Sequence, residues 1–115
     1  MITSNRASVR SRLIFVTLAF VALAPLAPAA AAGHEYVVPM ANMAFGAIPS
    51  GLKVGDSIVW VNKDSVPHTV TARDHSFDLR IGPGQRGRLN LTKAGTFPIY
   101  CTIHAPMRGT ITVGA

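Results

Sequence analysis

The 115-residue chain has a single cysteine, Cys101, so no disulfide can form within one copy. Acidic residues are also scarce, five against eleven lysines and arginines, for a formal net charge of +6. That surplus is not gathered into a basic run interleaved with aromatics, which argues against a nucleic-acid-binding protein. No apolar period of 3.6 residues persists over a dozen positions, so amphipathic helices are not expected. The longest apolar run, Leu13 to Ala24, spans 12 residues, well short of the roughly 20 that a membrane-spanning helix needs. No Arg-Arg pair is present to mark a twin-arginine export route.

What the first 32 residues do contain is the pattern of a secretory signal peptide. Arg6, Arg10 and Arg12 form a positive start, and no acid precedes Glu35. The apolar run follows, then small residues Ala29 to Ala32, which place an A-x-A cleavage after Ala32. The alternative is an uncleaved anchor, which the short apolar run disfavours. Cleavage leaves residues 33–115 as one 83-residue domain of net charge +3, exported by a Sec-type route to the periplasm and without stable membrane insertion. A mild positive surplus of this kind can steer an acidic partner. Exported proteins normally pair their cysteines, so an unpaired one in such a chain points to chemistry.

After the leader, short β-branched and aromatic runs alternate with Gly, Pro, Asn and Asp, as in a sandwich or barrel. The expected strands are Tyr36 to Met40, Gly51 to Val54, Ser57 to Asn62, His68 to Ala72, Arg86 to Thr92, Thr96 to Cys101 and Thr110 to Val113. Alternation places Phe97, Ile99 and Cys101 on one inward face, with Ile58 and Trp60 packing similarly, and turns Tyr100 outward. Pro98 is awkward in the middle of a strand, since it cannot donate to a ladder.

The chemistry is concentrated in Tyr100-Cys101-Thr102-Ile103-His104-Ala105-Pro106-Met107-Arg108. Thiolate, imidazole and thioether are soft or borderline donors, which suit copper far better than magnesium or calcium. A second imidazole is available from His68 in Ser65-Val66-Pro67-His68-Thr69-Val70. Taken singly, each residue has a plainer reading: Cys101 and Met107 as core packing, His68 as a hydrogen-bonded core histidine. Their spacing favours a metal site. His34 and His75 read as solvated side chains, and Met40 and Met43, three apart in a strand, face opposite ways. A Cys–His nucleophile pair lacks an oxyanion loop, so an enzyme is not expected.

These residues resemble the cupredoxins, the small blue copper proteins. The likeness runs through Val54-Gly55-Asp56-Ser57-Ile58-Val59-Trp60-Val61-Asn62, Pro67-His68-Thr69-Val70, Ala94-Gly95-Thr96-Phe97-Pro98-Ile99-Tyr100-Cys101 and Met107-Arg108-Gly109-Thr110. It is strongest toward the amicyanin, plastocyanin and pseudoazurin branches, and the short Cys-x-x-His-x-x-Met loop is most similar to that of amicyanin. The resemblance implies an all-β, Greek-key sandwich of about seven to eight strands. It also implies one Cu(I)/Cu(II) ion per chain, held by His68, Cys101, His104 and Met107. The implied role is single-electron transfer by a monomer between redox proteins, a c-type cytochrome and an amine dehydrogenase or oxidase. A periplasmic copper carrier or chaperone, delivering the metal, is the alternative. Oxidase-type relatives carry histidines beside the copper cysteine, whereas Tyr100 and Thr102 stand here. Two departures carry expectations of their own. Thr69 replaces an asparagine that ties the ligand loops together in that family, so the tie is expected between Thr69 and Thr102. Ile103 replaces a proline and brings an N–H that can reach the Cys101 sulfur.

Overall fold

The computed structural model describes residues 14–22 and 33–115. The expected signal segment lies mostly outside the described residues; its exposed stretch 14–22 contains no helix or strand. Among the described residues no helix is long and apolar enough to cross a membrane.

Residues 33–115 fold into nine strands: β1 (Glu35–Ala41), β2 (Ala44–Phe45), β3 (Leu52–Lys53), β4 (Ser57–Asn62), β5 (His68–Ala72), β6 (Asp78–Ile81), β7 (Arg86–Asn90), β8 (Gly95–Tyr100) and β9 (Arg108–Gly114). They form two sheets, ordered β2-β1-β4-β7 and β3-β9-β8-β5-β6, so the fold is an all-β sandwich. β1 runs parallel to β4, from Glu35↔Ser57 to Met40↔Asn62, and β4 is antiparallel to β7. In the second sheet β8 and β9 pair along their lengths, from Gly95↔Val113 to Tyr100↔Arg108.

The inward positions follow the alternation of the sequence. Val38, Met40, Ile58, Trp60 and Leu89 of the first sheet meet Val70, Ile81, Ile99, Ile111 and Val113 of the second. Trp60 is fully buried and meets Phe45 edge-on at 5.5 Å between ring centroids. Burial of each large apolar side chain stabilises the sandwich by about 1.5–3 kcal/mol. Phe97, expected inward, is only partly buried but does pack on this core.

Pro98 is accommodated because β5 ends beside it. Its carbonyl accepts the Arg73 N–H at 2.9 Å, one residue past the last β5–β8 pair, Ala72↔Ile99. In an antiparallel strand a residue's N–H and C=O point the same way, so the missing donor faces a strand end and interrupts no ladder.

Two strands escape the sequence reading. β2 is two residues long and follows a turn whose central residues, Asn42 and Met43, both have positive φ (53° and 57°). That left-handed pair makes a tight hairpin without the glycine that normally announces one. β6 is an edge strand, Asp78-Leu79-Arg80-Ile81, with charge at its exposed positions, a composition that blunts edges and looks like a loop.

The placement of β5 matters most for function. Its ladder with β8 has two pairs, Thr71↔Tyr100 and Ala72↔Ile99. His68 and Thr69 therefore stand with Cys101 just beyond the point where the two strands stop pairing.

Candidate metal centre

At that end of the sandwich, His68 opens β5 and Cys101 follows β8, and both are fully buried. The loop from Cys101 to Met107 is closed by its own backbone. Cys101 N–H donates to the Met107 carbonyl at 3.0 Å, and Met107 N–H to the His104 carbonyl at 2.9 Å. A loop so short and so bonded holds His104 over Cys101, with Nδ1 of the imidazole 3.8 Å from the sulfur. The rings of His68 and His104 meet at 67° with centroids 5.1 Å apart. One donor atom from each of His68, Cys101 and His104 lies within 4.8 Å of the others. Met107 is 2% exposed and belongs to the same packed cluster as Cys101.

The two ring nitrogens of His68 have different surroundings. Nε2 lies 2.7 Å from Oδ2 of Asp64, whereas Nδ1 is buried with no hydrogen-bond partner. An orphaned buried nitrogen costs about 1–3 kcal/mol, and natural folds keep such atoms for a reason. Beside a thiol and a second imidazole, the reason is a metal ion. The donor set is soft to borderline, which fits one copper.

Electrostatics favour the ligating form of the cysteine. Burial alone pushes the Cys101 thiol up. The Thr69 N–H, donating to Sγ at 3.3 Å, outweighs it together with the Ile103 N–H and the His104 side chain and N–H, and the thiol titrates below its ordinary value. Asp64 also lies below the usual carboxylate range, chiefly because the Met43 N–H donates to it and then because of His68.

The loop tie expected of Thr69 is present. Its Oγ1 accepts the Thr102 N–H at 2.8 Å and lies 3.3 Å from the Thr102 hydroxyl. The tie extends further than the sequence indicated. Thr71 Oγ1 lies 3.0 Å from Thr69 Oγ1 and donates to Asp78 at 2.7 Å, anchoring the ligand loop to edge strand β6. Asn62 is a second buried support. Its side-chain amide donates to the carbonyls of Val66 and Ile81 at 2.8 and 3.1 Å, and its Oδ1 accepts the Asp64 N–H at 2.9 Å. Nothing local in the sequence marks Asp64, Asn62, Thr71 or Asp78 for these roles, because each acts through a contact made only in the fold.

Of the remaining candidates, His34 is exposed and binds Asp56 through its backbone N–H at 2.9 Å, and His75 is an exposed turn residue with φ of 63°. Met40 is fully buried and Met43 is 51% exposed, so they do not form a pair.

The cupredoxin-like domain family matches residues 12–113. Amicyanin of Paracoccus denitrificans is 35% identical over 95 residues, covering 77% of this chain and 72% of that protein. Among solved structures, the reduced state of one amicyanin mutant aligns with a TM-score of 0.60 and 32% identity, over 70% of this chain and 82% of that one. The oxidized state of another gives 0.61 and 32%, over 75% and 87%. A family match along most of the sequence, joined to these relatives in both sequence and fold, makes this chain a member of the cupredoxin family.

Proposed function

We propose that the protein is a periplasmic blue copper protein that carries single electrons, its copper held by His68, Cys101, His104 and Met107. The carrying observation is the convergence of donor atoms from His68, Cys101 and His104 within 4.8 Å of one another, together with a buried, unpartnered His68 Nδ1. Likeness to amicyanin, some of whose structures are Cu(I) forms, supports the same reading. Bound copper would supply a one-electron Cu(II)/Cu(I) couple. The protein's part would be to hold the donors still: Cys101 as thiolate, His68 and His104 through imidazole nitrogen, and Met107 through its thioether sulfur. Because strands and a closed loop fix them, the donors would need little rearrangement between the two oxidation states.

Burial favours electron transfer over copper delivery. Cys101 is fully buried and Met107 nearly so, which suits retention of a metal and opposes its ready release. The test is the visible spectrum of the protein loaded with one equivalent of Cu(II). An intense blue or green thiolate-to-copper band is expected; a pale solution would contradict the reading.

The surface gives two routes outward. Around His104, which is partly exposed, lie Ile103, Ala105 and Pro106, all exposed and apolar. Such a patch suits brief docking. Ala105→Glu is therefore expected to slow electron exchange with a protein partner while leaving the copper spectrum unchanged; equal rates would remove the patch from the docking surface. On the other side Tyr100, next to Cys101, is half-buried under the Arg73 guanidinium, 4.6 Å from its ring centroid, and pairs across strands with Arg108. The two arginines suit an acidic redox partner, a c-type cytochrome or an amine dehydrogenase being the classes that the amicyanin likeness brings in.

We further propose cleavage after Ala32, export to the periplasm and a monomeric mature domain, residues 33–115. The basic start, apolar run and small residues of the leader support it.

Ile103 raises the potential in this reading. Its N–H favours the thiolate, and a donor to sulfur stabilises the more electron-rich reduced site. Ile103→Pro removes that donor and should lower the reduction potential on the order of 20–60 mV, the equivalent of one modest hydrogen bond. Voltammetry of both proteins checks it; an equal or higher potential in the variant would overturn the assignment.

A further inference from the structure

The β1–β2 turn and the candidate ligand His68 are distant in sequence but are joined by one carboxylate. Asp64 Oδ1 accepts the Asn42 N–H at 2.8 Å, and Oδ2 accepts the Met43 N–H at 3.0 Å. Oδ2 also lies 2.7 Å from Nε2 of His68, and the Asp64 backbone N–H is held by Asn62. Both turn residues have left-handed backbone, which aims two consecutive N–H groups at the same side chain.

We propose that Asp64 is a positioning residue for the metal centre. Clamped by the β1–β2 turn, it fixes the His68 proton on Nε2 before any metal arrives and leaves the Nδ1 lone pair facing Cys101 and His104. Donors and acceptors decide the tautomer. A carboxylate has only acceptors to offer, and here its oxygens meet two backbone N–H groups that cannot turn away. The neutral imidazole must therefore present its N–H to Asp64, which forces the other nitrogen to be the base. The absence of any partner at Nδ1 is the complementary half of the same arrangement. A carboxylate behind a ligating histidine fixes tautomer and ring orientation and raises ligand basicity.

An amide at the same position cannot do this. In Asp64→Asn, an NH₂ in the place of Oδ1 faces the Asn42 N–H, donor against donor. An NH₂ in the place of Oδ2 faces the Met43 N–H and requires His68 Nε2 to accept, which moves the imidazole proton to Nδ1, the atom needed for metal. The replacement is close to isosteric, so the core is undisturbed while the proton is free to move.

The experiment reads the metal-free protein first, so it does not depend on the copper reading. Long-range ¹H–¹⁵N correlation spectra of the histidine rings report which nitrogen carries the proton. The wild-type protein is expected to show His68 as a single Nε2–H tautomer, and Asp64→Asn to show a substantial Nδ1–H population. The second readout is Cu(I) affinity by competition with a chelator, expected to fall about 10–100-fold in Asp64→Asn, as is usual when such a support is lost. A wild-type His68 protonated at Nδ1 would overturn the proposal, as would a variant that keeps the Nε2–H tautomer. Loss of affinity with an unchanged tautomer would also count against it, because a merely structural Asp64 would behave in that way.

Discussion

Copper-loaded Cys101→Ala is expected to lose the intense visible absorption altogether while keeping the β-sandwich. The side chain is fully buried, and alanine retains its Cβ in the same space, so packing changes by one atom. What disappears is chemical. The thiolate is the one strongly covalent donor in the cluster, and two imidazoles with a thioether cannot produce a sulfur-to-copper charge-transfer band of that strength. Thr69 N–H loses its acceptor, at a cost of about 1–3 kcal/mol in the metal-free protein. Absorption and circular dichroism together check the result. A variant that kept the strong band would remove Cys101 from the site, and an unfolded variant would show a structural role larger than the contacts imply.

The second large effect is expected at Asn62, a residue with no direct part in metal binding. Asn62→Ala removes three hydrogen bonds at once, to Val66, Ile81 and Asp64. Asn62 is fully buried, so the partners are left poorly satisfied and water cannot easily replace the amide. The expected loss is roughly 2–4 kcal/mol in denaturant unfolding, since each abandoned buried group costs about 1–3 kcal/mol and partial relaxation recovers some of it. A stability change within the scatter of surface substitutions, about 0.5 kcal/mol, would show that the 63–67 segment is held by something else. Because Asp64 is one of the abandoned partners, the variant should also broaden the copper band through a looser His68.

These residues illustrate where sequence reading stops. The trio Cys101, His104 and Met107 is legible because a short loop presents all three within seven positions, and no other cysteine competes for attention. Strand β4 is legible because Ile58 to Val61 is a short β-branched and aromatic run, followed by the turn-forming Asn62-Lys63-Asp64-Ser65. By contrast, the contact of Asp64 with Asn42 and Met43 spans 21 to 22 residues and depends on a left-handed turn that no glycine marks. Local pattern carries no information about such a meeting. The Asp78–Thr71–Thr69 chain was hidden for a related reason. It requires β6 to be a strand paired in register with β5, and the charged composition of that edge conceals it. Period two places Ile58, Trp60, Ile99 and Cys101 inward; it does not reach the supports behind the ligands.

Whether copper is kept and cycled is decided by repeated reduction and reoxidation of the copper-loaded protein in the presence of a weak Cu(I) chelator. One electron per chain is expected to bleach the visible band, oxidation to restore it in full over many cycles, and the chelator to stay empty. Transfer of copper to the chelator on the first reduction would contradict retention, and would identify the protein as one that delivers the metal.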